Sequence, residues 1–260
     1  MTVAGALQCF VLVVLGLPSP LYSLSPPPPV RILCFGDSLT AGSIDMDGSG
    51  GLFPYATHLQ AALEEAQPKR TFQVGHLGMP GWTASQMVQT ADDPTYGLRH
   101  KLKQVNNPPV SLVVILAGTN DLGYSYQEGI EDGASAILGS LQALHRIAHE
   151  QNVPSMAVGI PTSRFQQQVS PALDLRLRVN QRLQEWAEST ATMPNTPFTS
   201  YAPFPRAVPD PQSSPKADEL WSLDGLHLTA KGYMAMGREL AGAVEKGLPD
   251  LHHQVHSRDL

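Results

Sequence analysis

The chain is short of cysteine and of charge, and each shortage narrows what it can be. Two cysteines occur in 260 residues. Cys9 lies in an apolar N-terminal run, and Cys34 lies in a short apolar stretch where a buried thiol is the ordinary reading. If the N-terminal run is removed, no internal disulfide can form, so the fold must hold without one. The cysteine count therefore does not decide the compartment. Charged residues make up 15%, with a net charge of -6. There is no basic stripe, which speaks against a nucleic-acid partner. No internal repeat is visible and no Asn-x-Ser/Thr sequon occurs. Walker A needs Gly-Lys-Ser/Thr and the dinucleotide fingerprint needs G-x-G-x-x-G; neither is present, so a phosphate-cradling first loop is disfavoured. No Glu follows His145 as in a zincin, so His145 and His149, four apart on an expected helix, read as part of a solvated face rather than a metal site.

What is present is apolar content of 42%, enough for one sizeable domain with its own core. Residues 3–17 are apolar apart from Gln8, a length that suits a signal-peptide core and is short for a membrane span. No Lys or Arg precedes them. The expectation is a leader plus Pro/Ser-rich linker over residues 1–29, a catalytic-size domain over 30–249, and a loosely ordered tail over 250–260. The leader points to the secretory pathway or secretion, with the cytoplasm as the alternative.

Strands are expected near residues 30–35, 71–76, 110–117, 155–160 and 197–201, and helices near 53–66, 98–104, 128–150, 171–189 and after the turn at 223–229. This alternation argues for an α/β fold, a parallel sheet covered by helices on both faces. Ligands of such sheets bind beyond the carboxyl ends of the strands. Four short stretches matter there: Gly36-Asp37-Ser38-Leu39, Gly78-Met79-Pro80-Gly81, Gly118-Thr119-Asn120-Asp121 and Asp224-Gly225-Leu226-His227. A serine after a strand can cap a helix, face an anion or attack a carbonyl.

Together these four blocks resemble the GDSL-type esterases and lipases of the SGNH hydrolase superfamily, named for a Ser, a Gly, an Asn and a His in four ordered blocks. The resemblance covers residues 31 to about 245. It implies a three-layer α/β/α, flavodoxin-like parallel five-stranded sheet with strand order 2-1-3-4-5. It also implies an ester hydrolase that needs no metal or organic cofactor and acts on a small-molecule, lipid or carbohydrate ester. Acyl transfer to an alcohol other than water would use the same residues, and lysophospholipase, thioesterase and carbohydrate acetylesterase activities all fall within the superfamily. A general α/β-hydrolase would instead place G-x-S-x-G well inside the chain.

The residues make chemical sense in these roles. The Ser38 hydroxyl needs a base within hydrogen-bond reach. His227 is the candidate, because imidazole ionises near working pH. Asp224, three residues away across a turn at Gly225, can orient it, which gives a Ser-His-Asp triad. The resemblance assigns the oxyanion hole to the Ser38 N–H, Gly81 and the Asn120 amide. An Asn often stands where His76 stands here, which leaves Gly78 as the alternative to Gly81. Asp37 and Asp121 are expected to tie down turns. Loops 43–51, 162–170 and 202–215 are expected to shape the pocket. Without a long apolar insertion, they suggest short acyl groups, from acetyl to hexanoyl. Met46, Met79 and Trp82 either line it or pack.

Overall fold

The computed structural model describes residues 27–45, 50–104, 108–192 and 197–248. The expected leader up to residue 26, the expected tail at 250–260 and Met46 lie outside the described residues. Five strands form one sheet: β1 (Val30–Gly36), β2 (Phe72–Gly78), β3 (Val110–Leu116), β4 (Ser155–Val158) and β5 (Thr199–Ala202). All pairings are parallel, in the order β2-β1-β3-β4-β5. This is the α/β architecture that the sequence led us to expect.

The central strands explain why the sheet is covered on both sides. The sequence VRILCFG of β1 alternates its contacts. Ile32 and Cys34 enter one apolar cluster, with α2 (Tyr55–Ala66) and α10 (Ala230–Gly247). Phe35 enters the other, with α3 (Ala84–Gln89), α6 (Ile130–Glu150) and α8 (Ser170–Thr190). In β3, Leu112, Val114 and Leu116 join the first cluster and Val113 and Ile115 the second. A strand with both faces buried reads as a continuous apolar run, as β3 does. α2 packs on α10, and α6 on α8.

The structure adds short helices that apolar periodicity did not reveal: α1 (Ser38–Ala41), α5 (Thr119–Ser125), α7 (Arg164–Gln168) and α9 (Pro215–Leu220). α4 (Leu98–Lys103) completes the set among the described residues. α7 falls inside the stretch expected to be loop. It starts with a capping box in which the Ser163 hydroxyl accepts from Gln166 N–H and the Gln166 side chain accepts from Ser163 N–H.

The reading of His145 and His149 as a solvated face is corrected. His145 is 1% exposed. Its Nδ1 lies 2.8 Å from Ser155 Oγ, and His149 Nε2 lies 3.2 Å from that Oγ and 3.1 Å from Thr199 Oγ1. The helix face that carries Ile137, Leu141, Leu144 and Ala148 is the buried face, and His145 belongs to it. Polar groups in this position are tolerated because they satisfy one another. The network sits at the amino ends of β4 and β5, opposite the ends where the four sequence blocks gather.

Candidate active site

Strand register brings the first three blocks together. Gly36 pairs with Gly78 on one side and with Leu116 on the other. The chain leaves each of these strands at the same level, so the residues that follow share one edge of the sheet. Asp37 caps α1, with its Oδ1 accepting Leu39 N–H at 3.0 Å. The capping role therefore belongs to Asp37 and not to Ser38. Ser38 is the first residue of the helix, and its hydroxyl is available for another partner.

That partner is His227, whose Nε2 lies 2.9 Å from Ser38 Oγ across 189 positions of sequence. His227 Nδ1 lies 2.7 Å from Asp224 Oδ2. The other Asp224 oxygen accepts the N–H groups of Leu226 and His227, at 2.8 and 2.9 Å. Gly225 turns the segment at φ +66°. Burial tends to raise the Asp224 carboxyl, but the hydrogen bonds from the His227 side chain, His227 N–H and Leu226 N–H outweigh it and hold the group below its ordinary value. Such an acid stays ionised and fixes the imidazole with its proton on Nδ1, leaving Nε2 to accept from Ser38. Both Ser38 and His227 are buried, at 6% and 4% exposed.

Asn120, near the start of α5, donates from Nδ2 to the Trp82 carbonyl at 2.8 Å. An amide nitrogen carries two hydrogens, so one stays available while the bond to Trp82 fixes the side chain. The two candidate glycines differ. A Cβ on Gly78 would lie 2.1 Å from Ala41 N, so this glycine lets the end of β2 approach the Ser38 helix closely. Gly81 has φ +78° with nothing within 4 Å of its Cβ position, and its N–H makes no hydrogen bond to another described residue. Met79 is buried in the second apolar cluster, and Trp82 packs at its edge with its ring 5.4 Å from that of Tyr96.

The two extra aspartates are structural, though not both locally. Asp37 holds its own turn. Burial drives its carboxyl up to about 6, against the hydrogen bond from Leu39 N–H. Asp121 reaches across 37 residues to accept the N–H of Ala84 at 2.9 Å. It thereby ties the third block to the start of α3, just past the second. Sequence alone could not show this bridge, because both ends are set by the sheet.

A groove of about 340 Å³ opens on the Asn120 and Asp224 side of this arrangement, with neither Ser38 nor His227 in its lining. Asn120 and Tyr124 line one part, Phe165 and Gln166 another, and Asp224 and Leu226 a third. Of the three loops expected to shape a pocket, 162–170 contributes here through α7, whereas residues of 202–215 line a different cavity. Among the described residues no group of three or more His, Cys, Asp or Glu could hold a metal, and no helix is long and apolar enough to cross a membrane.

Fold and site thus define an α/β protein of the acylhydrolase class. The model of the GDSL-like lipase/acylhydrolase family matches residues 34–235, and the chain belongs to that family. Solved structures with the same fold include a lipase from a goat rumen metagenome, at 16% identity and TM-score 0.59, covering 82% of this chain and 97% of that one. A carbohydrate acetylesterase from Sinorhizobium meliloti is similar at 17% identity and TM-score 0.54, covering 84% and 99%. An aryl esterase from M. smegmatis, with inhibitor bound, is similar at 20% identity and TM-score 0.55, covering 84% and 100%. Among curated proteins none matches the chain.

Proposed function

We propose that the protein is a serine hydrolase of carboxylic esters with short acyl chains, working through an acyl-enzyme on Ser38. The observation that carries this reading is the unbroken chain from Ser38 Oγ to His227 Nε2 and from His227 Nδ1 to Asp224 Oδ2, at 2.9 and 2.7 Å. Ser38 Oγ attacks the ester carbonyl, and its proton passes to His227 Nε2. The C–O bond of the tetrahedral intermediate then breaks, and His227 returns the proton to the departing alkoxide. Water attacks the acyl-enzyme, again giving a proton to His227. Collapse restores the Ser38 hydroxyl and releases the acid. Asp224 stabilises the imidazolium in both halves.

The oxyanion would be met by the Ser38 N–H, the Gly81 N–H and the remaining Asn120 N–H, donors fixed before the charge develops. The open surroundings and free N–H of Gly81 favour it over Gly78, which is fully used in packing. The groove volume lies at the lower end of the range for small-molecule sites, about 300–1,000 Å³, and supports a short acyl or small alcohol group. The apolar stretch at residues 3–17 supports entry to the secretory pathway.

The test is hydrolysis of p-nitrophenyl acetate, hexanoate and palmitate by wild type and Ser38→Ala. Serine-dependent release that falls with chain length is expected. Release that rises towards palmitate would overturn the short-chain reading, and wild-type turnover by Ser38→Ala would overturn the nucleophile. Residence outside the cell is checked by N-terminal sequencing of protein recovered from the medium of a secreting host; an intact Met1 on cell-retained protein would refute it.

A further inference from the structure

The loop that carries the acid and the base is closed at its root, and its tip is held from outside. Trp221 and Leu228 form an antiparallel bridge, and Ser222 N–H donates to the His227 carbonyl at 2.8 Å. His227 therefore belongs to the root. Asp224 belongs to the tip, where the chain turns at Gly225. Burial of an apolar side chain does not secure this tip, because Leu223 is 94% exposed. What reaches it is Arg164, the first residue of α7, which follows β4. The Arg164 backbone N–H donates to the Gly225 carbonyl and its Nη1 to the Leu223 carbonyl, each at 2.8 Å. These two carbonyls belong to the residues on either side of Asp224. The arginine side chain also lies against the turn: a Cβ on Gly225 would stand 2.6 Å from Arg164 Cβ and 2.9 Å from its Nε.

Arg164 is itself anchored. The capping box of Ser163 and Gln166 fixes the start of α7. The Phe165 ring meets Tyr126 edge-on at 5.4 Å, and Gln167 donates from Nε2 to the Pro211 carbonyl at 2.7 Å. Among the described residues Arg164 makes no ion pair, so its guanidinium serves a backbone carbonyl, through a hydrogen bond strengthened by the charge. We infer that Arg164 is a positioning residue for the triad: by gripping the tip on both sides of Asp224, it sets that carboxylate against the His227 imidazole. Its effect on turnover rests on the esterase reading, whereas its effect on the imidazole does not.

The experiment compares the full chain as wild type, Arg164→Met and Arg164→Lys in two arms, with thermal melts beside both. Met keeps an unbranched stem against Gly225 but cannot donate; Lys keeps a cationic donor without the planar fork. The first arm is hydrolysis of p-nitrophenyl acetate. Arg164→Met should lower kcat by about 10–10²-fold, the scale of a misplacement of about 1 Å, with KM nearly constant, and Arg164→Lys should recover part of the loss. The second arm reads the His227 ring nitrogens by NMR through the carbon-bound ring protons, at a pH above the ordinary imidazole range, with His227→Ala to assign the signals. An imidazole held by Asp224 carries its proton on Nδ1, while a free one in water favours Nε2. Arg164→Met should therefore shift the population towards the Nε2–H tautomer, and Arg164→Lys should shift it less. A lower melting temperature with wild-type kcat and tautomer in Arg164→Met would make the arginine a purely structural residue and overturn the inference, as would a loss confined to KM. If Arg164→Met does not fold, Arg164→Lys decides: a partial loss of kcat with a partial tautomer shift supports the role, and wild-type values of both overturn it. Wild type without serine-dependent turnover would refute the esterase reading instead, and the tautomer alone would then judge Arg164.

Discussion

Acidification from pH 7.5 to 4.5 should destabilise this protein through His145, and the size of the effect can be worked out. His145 is fully enclosed, and burial, helped by the neighbouring His149, drives its imidazole from an ordinary 6.5 down to about 3. A histidine depressed in the folded state binds its proton mainly when the chain unfolds. The stability held above pH 6.5 is therefore lost progressively as pH falls towards 3. At pH 4.5 the unfolded chain has gained nearly one proton at this position and the folded chain almost none. The difference spans about two pH units, or about 2.5–3 kcal/mol. Wild type alone is a poor reporter, because Asp37, raised to about 6, works in the opposite direction. A carboxyl raised on folding favours the native state as pH falls, by about 2 kcal/mol over the same interval. The clean measurement is therefore a difference. His145→Asn keeps a polar group near Ser155 but cannot titrate. Urea unfolding of both proteins at both pH values should show wild type losing about 2.5 kcal/mol more than the variant. Parallel losses in the two proteins would refute the claim that His145 stays neutral in the fold.

The site yields further expectations. Ser38→Ala and His227→Ala should each lower turnover of p-nitrophenyl acetate by about 10⁴–10⁶-fold with an unchanged circular dichroism spectrum; a residual rate within tenfold of wild type would contradict the triad. Asn120→Ala should reduce kcat by about 10²–10³-fold with KM nearly constant, and a change confined to KM would place Asn120 in ground-state binding. Gly78→Ala should cost stability, roughly 2–4 kcal/mol from the backbone clash at Ala41. Gly81→Ala should cost about 1–2 kcal/mol for its left-handed backbone and act more strongly on kcat; thermal melts beside initial rates separate the two.

The central strands β1, β3 and β4 were legible because each is a largely apolar run followed by glycine, and the blocks after β1 and β3 were legible because they stand at those ends. What sequence could not supply was register. That Gly36, Gly78 and Leu116 lie level follows from ladder pairing, and with it the meeting of Ser38 and Asn120 loops. The bridge from Asp121 to Ala84 was invisible for the same reason. The short helices escaped because a single turn carries no apolar period, although Ser163 with Gln166, and Ser214 followed by Pro215, are start signals that residue types alone announce. His145 could have been placed better. It stands four residues after Leu141 and next to Leu144, on the face that burial selects; reading i, i+4 histidines apart from their apolar neighbours was the error.

The separation of these two histidine sites has a consequence for the pH profile. In the proposed mechanism a protonated His227 could not accept the Ser38 proton, so that mechanism would fail in acid. Unfolding linked to His145 also removes activity in acid, from the opposite end of the sheet. A single acid limb in a rate profile would merge the two. His145→Asn separates them, since the substitution touches neither Ser38, His227 nor the groove. If protonation of the base sets the limb, wild type and variant share it and activity returns at once on neutralisation. If unfolding sets it, the limb of the variant moves to lower pH, and wild-type activity returns only at the rate of refolding. A shared limb with slow recovery in both proteins would mean that some group other than His145 drives acid unfolding, and would send the search to the other groups held low by the fold, His149 and Asp224.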